Sequence, residues 1–90
     1  MAKYSLLEVS GESCANCLTL LPLVNRLAAA RGLEVGHLEV NEANAQRVRS
    51  LQVGRVPTLI VFRDGKEVAR CTGYQPEEIL ELWLDAKIQE

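Results

Sequence analysis

Basic runs, aromatic clusters and long apolar runs are all scarce in this sequence. The 10 basic and 12 acidic residues are scattered along the chain, and only four of the 90 residues are aromatic. Nucleic acids and anionic membranes bind clustered positive charge, so we expect neither as a partner. No apolar run approaches the roughly 20 residues of a membrane-spanning helix, and the first residues do not resemble a secretory signal. We therefore expect a cytoplasmic protein.

Cysteine is scarce as well, and its count of three is odd. An odd count argues against a small secreted scaffold held together by several disulfides, and a reducing compartment suits it better. Hydrophobic residues make up 48% of the chain and charged residues 24%, which is typical of a soluble globular protein. This length gives room for one hydrophobic core. We therefore predict that residues 1–90 form a single domain. We also expect the protein to be a monomer.

The apolar pattern predicts seven elements in the order βαβαββα. Strands are predicted at Tyr4–Val9, Leu33–Val40, Thr58–Phe62 and Lys66–Thr72. Helices are predicted at about Cys14–Arg31, ending before Gly32, at Glu42–Leu51 with Asn41 as N-cap, and from Pro76 onward. Asp64-Gly65 predicts a hairpin turn between the last two strands. A parallel crossover followed by this hairpin predicts an α/β fold: a four-stranded mixed sheet flanked by helices on both faces, with the first strand inside.

Apolar spacing also predicts which helix faces are buried. In the first helix the predicted core residues are Leu20, Leu21, Val24, Leu27 and Ala28. Leu18 and Leu23 lie off that face, either exposed beside the cysteines as a docking surface or covered by a loop. In the last helix the predicted core residues are Ile79, Leu82, Trp83 and Ala86.

The stretch GESCANCLTLLP places Cys14 and Cys17 three residues apart at the start of the first helix. Residues at that spacing lie roughly 5 to 6 Å apart, which a disulfide tolerates. The helix dipole favours an anion at Cys14, so Cys14 is predicted as the attacking thiol and Cys17 as the resolving thiol. Two other interpretations stay open. The pair could be buried packing residues, or half of a zinc site that only Cys71 and His37 could complete.

Several motifs together resemble the thioredoxin superfamily over nearly the whole chain. CxxC is followed by Pro22 five residues after its second cysteine, Val56-Pro57-Thr58 precedes the run LIVF, and Gly73 precedes the last helix. The resemblance implies a thioredoxin-like fold with a cis peptide bond between Val56 and Pro57. It also implies a substrate-binding surface made by Val56, Pro57 and Gly73, in which the Val56 backbone pairs with an extended target peptide.

Glu8 lies six residues before Cys14, where the family carries a buried aspartate that assists proton transfer at the second cysteine. The resemblance implies that Glu8 accepts the proton of Cys17, and a solvated carboxylate at the strand end is the alternative. His37 aligns near a family lysine beside that acid, so a Glu8–His37 pair and an ordinary strand histidine both stay open. Cys71 matches no family motif, and we expect it to be a packing residue.

The chain also departs from the family pattern. Ser13 replaces the tryptophan before the first cysteine, and Ala15-Asn16 replaces Gly-Pro. The resemblance implies a thiol–disulfide oxidoreductase, mainly a reductase of protein or small-molecule disulfides, whose redox group is the Cys14–Cys17 pair and which uses no other cofactor and no metal. An external reductase or thiol pool would restore the dithiol. The alternative is a thioredoxin-fold binding or redox-sensing module without turnover.

Overall fold

Four strands form one mixed sheet in the computed structural model, which describes residues 2–89. The strands are β1 (Tyr4–Gly11), β2 (Glu34–Val40), β3 (Thr58–Arg63) and β4 (Lys66–Thr72). Their order across the sheet is β2-β1-β3-β4. β1 runs parallel to β2 and antiparallel to β3, and β3 pairs with β4 as a hairpin. The predicted element order and mixed sheet are confirmed, and β1 lies inside the sheet as expected.

Helices cover both faces of this sheet. They are α1 (Ala15–Arg31), α2 (Ala45–Ser50) and α3 (Glu77–Lys87). α1 and α3 pack on one face, and α2 packs on the other. α2 begins later than predicted because the Asn41 side chain accepts the Asn44 backbone N–H at 2.9 Å and closes a turn before the helix. Pro76 is extended, with ψ 152°, so α3 begins at Glu77. Within residues 2–89 no helix combines the length and apolarity needed to cross a membrane.

Alternation along β1 divides the core into two clusters. Leu6 packs with side chains of α1 and α3, whereas Leu7 and Val9 pack on the α2 side. Glu8 lies between Leu7 and Val9 in the strand, so its side chain points to the same face as Leu6. Glu8 is only 1% exposed. A carboxylate is therefore buried beneath α1, and the solvated alternative is excluded.

The predicted core face of α3 is wrong at three of its four residues and right at Trp83, which packs against the core. Its predicted core residues that are exposed instead are Ile79, Leu82 and Ala86. α3 buries Leu80 and Leu84, and Trp83 is half-buried. Most positions between 79 and 84 are apolar, so the sequence carries two competing helical stripes. The stripe of Leu80, Trp83 and Leu84 faces the sheet, and of these three residues the sequence spacing predicted only Trp83.

Leu23 of α1 is also buried, contrary to the expectation that it lies off the core face. It packs in the same cluster as Leu80, because α3 covers that flank of α1. Arg31 holds the two helices together at this flank. Its guanidinium donates to Asp85 at 2.6 Å and to Glu81 at 2.8 Å. The buried face of α1 is therefore wider than its spacing predicts.

Two turns follow their sequence signals. Gly32 ends α1 in the left-handed region, with φ 65°. Asp64 and Gly65 have φ values of 51° and 83°, as a two-residue hairpin turn requires. Both predicted turns are therefore confirmed.

Candidate active site

A disulfide joins Cys14 and Cys17 directly after β1, at the carboxyl end of the strand. Their Cα atoms are 5.2 Å apart, within the range that a disulfide tolerates. Ser13 precedes the pair with φ 53°, a left-handed conformation that turns the chain from the strand into α1. Because the two sulfurs are bonded to each other, the alternative that both cysteines are only packing residues is excluded.

The two cysteines differ in their relation to α1. Cys14 is the N-cap residue, and its Sγ accepts the backbone N–H of Cys17 at 3.1 Å. This N–H is one of the donors that a helix start leaves without a partner inside the helix. Cys14 is half-buried, whereas Cys17 is 3% exposed and faces the core. An external sulfur can therefore reach Cys14 and not Cys17.

The loop before β3 lies close to this turn. The Val56–Pro57 peptide bond is cis. A Cβ added to Gly11 would lie 3.0 Å from Cγ2 of Val56, so Val56 packs directly on the end of β1. Gly73 donates its backbone N–H to the carbonyl of Pro57 at 2.7 Å. The structure thus brings together the three residues of the predicted substrate surface. Val56 packs on Gly11, which lies three residues before Cys14 in the sequence.

Both carboxylate oxygens of the buried Glu8 have a neighbour. The Ser10 hydroxyl donates to Oε2, and Nδ1 of His37 lies 3.6 Å from Oε1. His37 is opposite Glu8 in the β1–β2 register, and its side chain is 46% exposed. His37 is therefore both a partly exposed strand histidine and a neighbour of the buried acid. Alternation along β1 puts Glu8 and Ser10 on one face, so the sequence pattern alone could have predicted that these two side chains are neighbours.

Cys71 lies far across the sheet from His37. Cys71 is on β4 and His37 is on β2, which are the two opposite edges of the sheet. They cannot join the Cys14–Cys17 pair as ligands of one metal ion, so the zinc alternative fails within one chain. In residues 2–89 no three His, Cys, Asp or Glu side chains are grouped to hold a metal ion. Burial raises the pKa of the Cys71 thiol to about 11.

This arrangement of a redox pair, a helix N-terminus and a cis-proline loop agrees with the comparison to known families. The family model described as Thioredoxin matches residues 1–86. The chain belongs to the thioredoxin family. A thioredoxin of Chlamydia pneumoniae is 36% identical over 76 residues, which cover 83% of this chain and 74% of that relative. Family membership and the Cys14–Cys17 pair together make the chain a thiol–disulfide oxidoreductase.

Solved structures of thioredoxins superpose closely on this fold. A mutant thioredoxin from Halobacterium salinarum NRC-1 gives a TM-score of 0.86 at 28% identity, covering 98% of this chain and 77% of the other. A chain from the complex of ferredoxin:thioredoxin reductase with thioredoxin f2 gives a TM-score of 0.81 at 24% identity, covering 93% of this chain and 77% of the other. The thioredoxin-like fold is therefore confirmed, and the redox disulfide is its functional group.

A groove of about 410 Å³ opens beside the disulfide on the β2 side of this thioredoxin fold. We call it the β2-side groove; its lining includes Ser10, Glu12, Cys17, Leu18, Leu21 and Glu39. Leu18 is 75% exposed, in agreement with its predicted position off the core face. Glu39 stands opposite Ser10 in the β1–β2 register. Sequence reasoning missed Glu39, because only strand pairing brings it next to the cysteines.

Proposed function

We propose that this thioredoxin-family protein acts mainly as a reductase of disulfides in proteins and small molecules, with Cys14 as nucleophile and Cys17 as resolving thiol. One observation carries the assignment of roles. Cys14 is the reachable sulfur and accepts an N–H at the start of α1, whereas Cys17 is buried. A hydrogen bond from a helix N-terminus stabilises a thiolate, which is the attacking form.

The reaction balances as two thiol–disulfide exchanges. The Cys14 thiolate attacks one sulfur of the substrate disulfide, which forms a mixed disulfide and releases the other substrate sulfur as a thiolate. Cys17 then loses its proton and attacks Sγ of Cys14, which forms the Cys14–Cys17 disulfide and releases the second substrate thiolate. Two electrons pass to the substrate, and solvent protons neutralise the released thiolates.

Glu8 is proposed as the acceptor of the Cys17 proton. Its burial on the α1 side of β1 supports this role, because Cys17 is a residue of α1. Its hydrogen bond from Ser10 also supports it, because Ser10 and Cys17 line the same groove. Nδ1 of His37 lies 3.6 Å from Oε1 and gives the buried carboxyl a partly exposed neighbour. Glu8→Gln keeps the shape of the side chain and should slow resolution of the mixed disulfide. If the resolution rate and its pH profile stay unchanged, Glu8 has no such role.

Val56, Pro57 and Gly73 are proposed to hold the substrate chain. The Val56–Pro57 loop packs on Gly11, close to the redox turn, and Gly73 is hydrogen-bonded to Pro57. An extended peptide that pairs with the Val56 backbone would run beside Cys14, which is the β-augmentation mode of binding. We propose an external reductase or thiol pool as the electron donor. A thioredoxin f2 of the same fold is known in complex with ferredoxin:thioredoxin reductase, which supports the idea of a protein donor.

We also propose that the protein works as a monomer in the cytoplasm. The odd cysteine count supports a reducing compartment, because Cys71 has no partner for a second disulfide among residues 2–89. Size-exclusion chromatography with light scattering checks the oligomeric state, and fractionation of cells that express the tagged protein checks its location.

The deciding experiment is reduction of insulin disulfides with dithiothreitol as electron donor. Wild type should turn over, Cys14→Ser should not, and Cys71→Ser should behave as wild type because it lies outside the redox turn. In a separate reaction without dithiothreitol, prereduced Cys17→Ser should accumulate a mixed disulfide with insulin that mass spectrometry detects. A wild-type protein that fails to turn over, yet keeps a bound partner when Cys14 is replaced, would instead be a binding module.

A further inference from the structure

The β2-side groove borders the sulfur that reacts. Cys14 and Cys17 both line it, and the exposed Leu18 and half-buried Leu21 give it an apolar wall. A substrate sulfur must come within bonding distance of Cys14 to react. The residues that flank that sulfur must then lie over the surface next to Cys14, and this groove is part of that surface. A segment of a disulfide substrate that reacts at Cys14 would therefore lie in this groove.

Carboxylates set the charge of the groove. Glu12 and Glu39 line it, and no lysine or arginine is among its lining residues. Both side chains are exposed, and within residues 2–89 neither is held in an ion pair. The groove therefore combines an apolar wall with two carboxylates that have no cation of their own.

A lysine or arginine side chain matches both properties. Its aliphatic stem covers apolar surface while its charged end stays in contact with water and with carboxylates. We propose that the β2-side groove selects disulfide substrates in which a lysine or arginine lies next to the reacting cysteine. The stem packs on Leu18 and Leu21, and the cation lies between Glu12 and Glu39. This selection depends on the proposed reductase function of the same site.

Two synthetic peptides with one internal disulfide test the proposal. They differ at the position beside the reacting cysteine, which is lysine in one and glutamine in the other. The prereduced protein is mixed with each peptide, samples are quenched by alkylation, and the second-order rate is read from the mass of the product. The measured quantity is the lysine-to-glutamine rate ratio.

Exposed charge pairs are weak, so each carboxylate should favour the lysine peptide by about two- to fivefold at low salt. The ratio should fall towards one in about 1 M salt, where the screening length is about 3 Å. It should also fall towards one in the double variant Glu12→Gln/Glu39→Gln. Glu78→Gln is the matched control, since this exposed carboxylate of α3 lies outside the groove, and it should keep the wild-type ratio.

A ratio is the right readout because Glu12 lies two residues from Cys14. Its removal changes the electrostatic field at the thiolate and hence the rate with every peptide, but that effect cancels in the ratio. Equal wild-type rates with both peptides would overturn the selection while leaving the reductase intact. A lysine preference that survives in the double variant would overturn the assignment to the groove. Failure to reduce either peptide would instead refute the reductase function itself.

Discussion

The sharpest prediction concerns Cys71, the cysteine outside the redox pair. Cys71 lies on β4 opposite Leu59 and packs against the larger core cluster. Burial raises the pKa of its thiol from 9.0 to about 11, although a backbone hydrogen bond at Leu59 acts in the opposite direction. At about pH 8 a thiol with a pKa of 9.0 is about 9% ionised, and one with a pKa near 11 is about 0.1% ionised. Since only the thiolate reacts, the ionised fraction lowers the rate about 90-fold, and the greater nucleophilicity of a more basic thiolate offsets part of this. Folding should therefore slow alkylation of Cys71 by about 10- to 90-fold.

The assay uses the variant Cys14→Ser/Cys17→Ser, in which Cys71 is the one remaining thiol. Iodoacetamide is added at about pH 8, and the modified fraction is followed by mass, with the same variant in guanidinium as the unfolded reference. In the folded protein the rate should keep rising about tenfold per pH unit beyond pH 9, where an ordinary thiol levels off. Equal rates in the folded and unfolded states, or a plateau near pH 9, would refute the conclusion that burial suppresses this thiol.

The remaining predictions concern the loop and the helix contact. Gly11→Ala should displace Val56 by a few tenths of an ångström, destabilise the protein by about 1 kcal/mol, and lower kcat/KM for a peptide disulfide. Gly54→Ala is its control, because the added Cβ has no atom within 4 Å, and urea unfolding with parallel kinetics compares the two. Arg31 lowers the pKa of Asp85 mainly through their hydrogen bond, so the carboxylate stabilises the folded state above the unfolded pKa. Asp85→Asn should therefore lower Tm near neutral pH, and the difference should disappear as the pH falls below 3.8 and through the lowered pKa; a difference that persists in acid contradicts the pairing.

The order of elements could be predicted because local signals agreed with the global fold. Gly32 and Asp64-Gly65 mark their turns by backbone conformation, which depends on those residues alone. The buried face of α3 could not be predicted, because its apolar residues occupy two stripes and only contact with the sheet selects Leu80 and Leu84. Tertiary packing also explains why Leu23 is buried: α3, which is distant in sequence, covers it.

The candidate site divides in the same way. Cys14 and Cys17 are adjacent in sequence, so their spacing predicts the disulfide. The burial of Glu8 follows from strand alternation once β1 is placed inside the sheet. Glu39 joins the groove only through the register that pairs it with Ser10, and local sequence carries no signal for that register.

The hydrogen bond from the Cys17 N–H to Cys14 Sγ makes one sulfur serve two purposes, since it caps α1 and carries out exchange. A thiolate is a stronger acceptor than a disulfide sulfur, so the reduced protein should have the better-capped helix. Thermodynamic linkage then requires the converse. If the cap stabilises the reduced folded protein more than the oxidised one, that difference in free energy also favours the dithiol over the disulfide. The stability of the first turn of α1 and the reduction potential of the pair are two measurements of one coupling. A change in α1 that never touches either sulfur would therefore alter how readily this protein gives up its electrons.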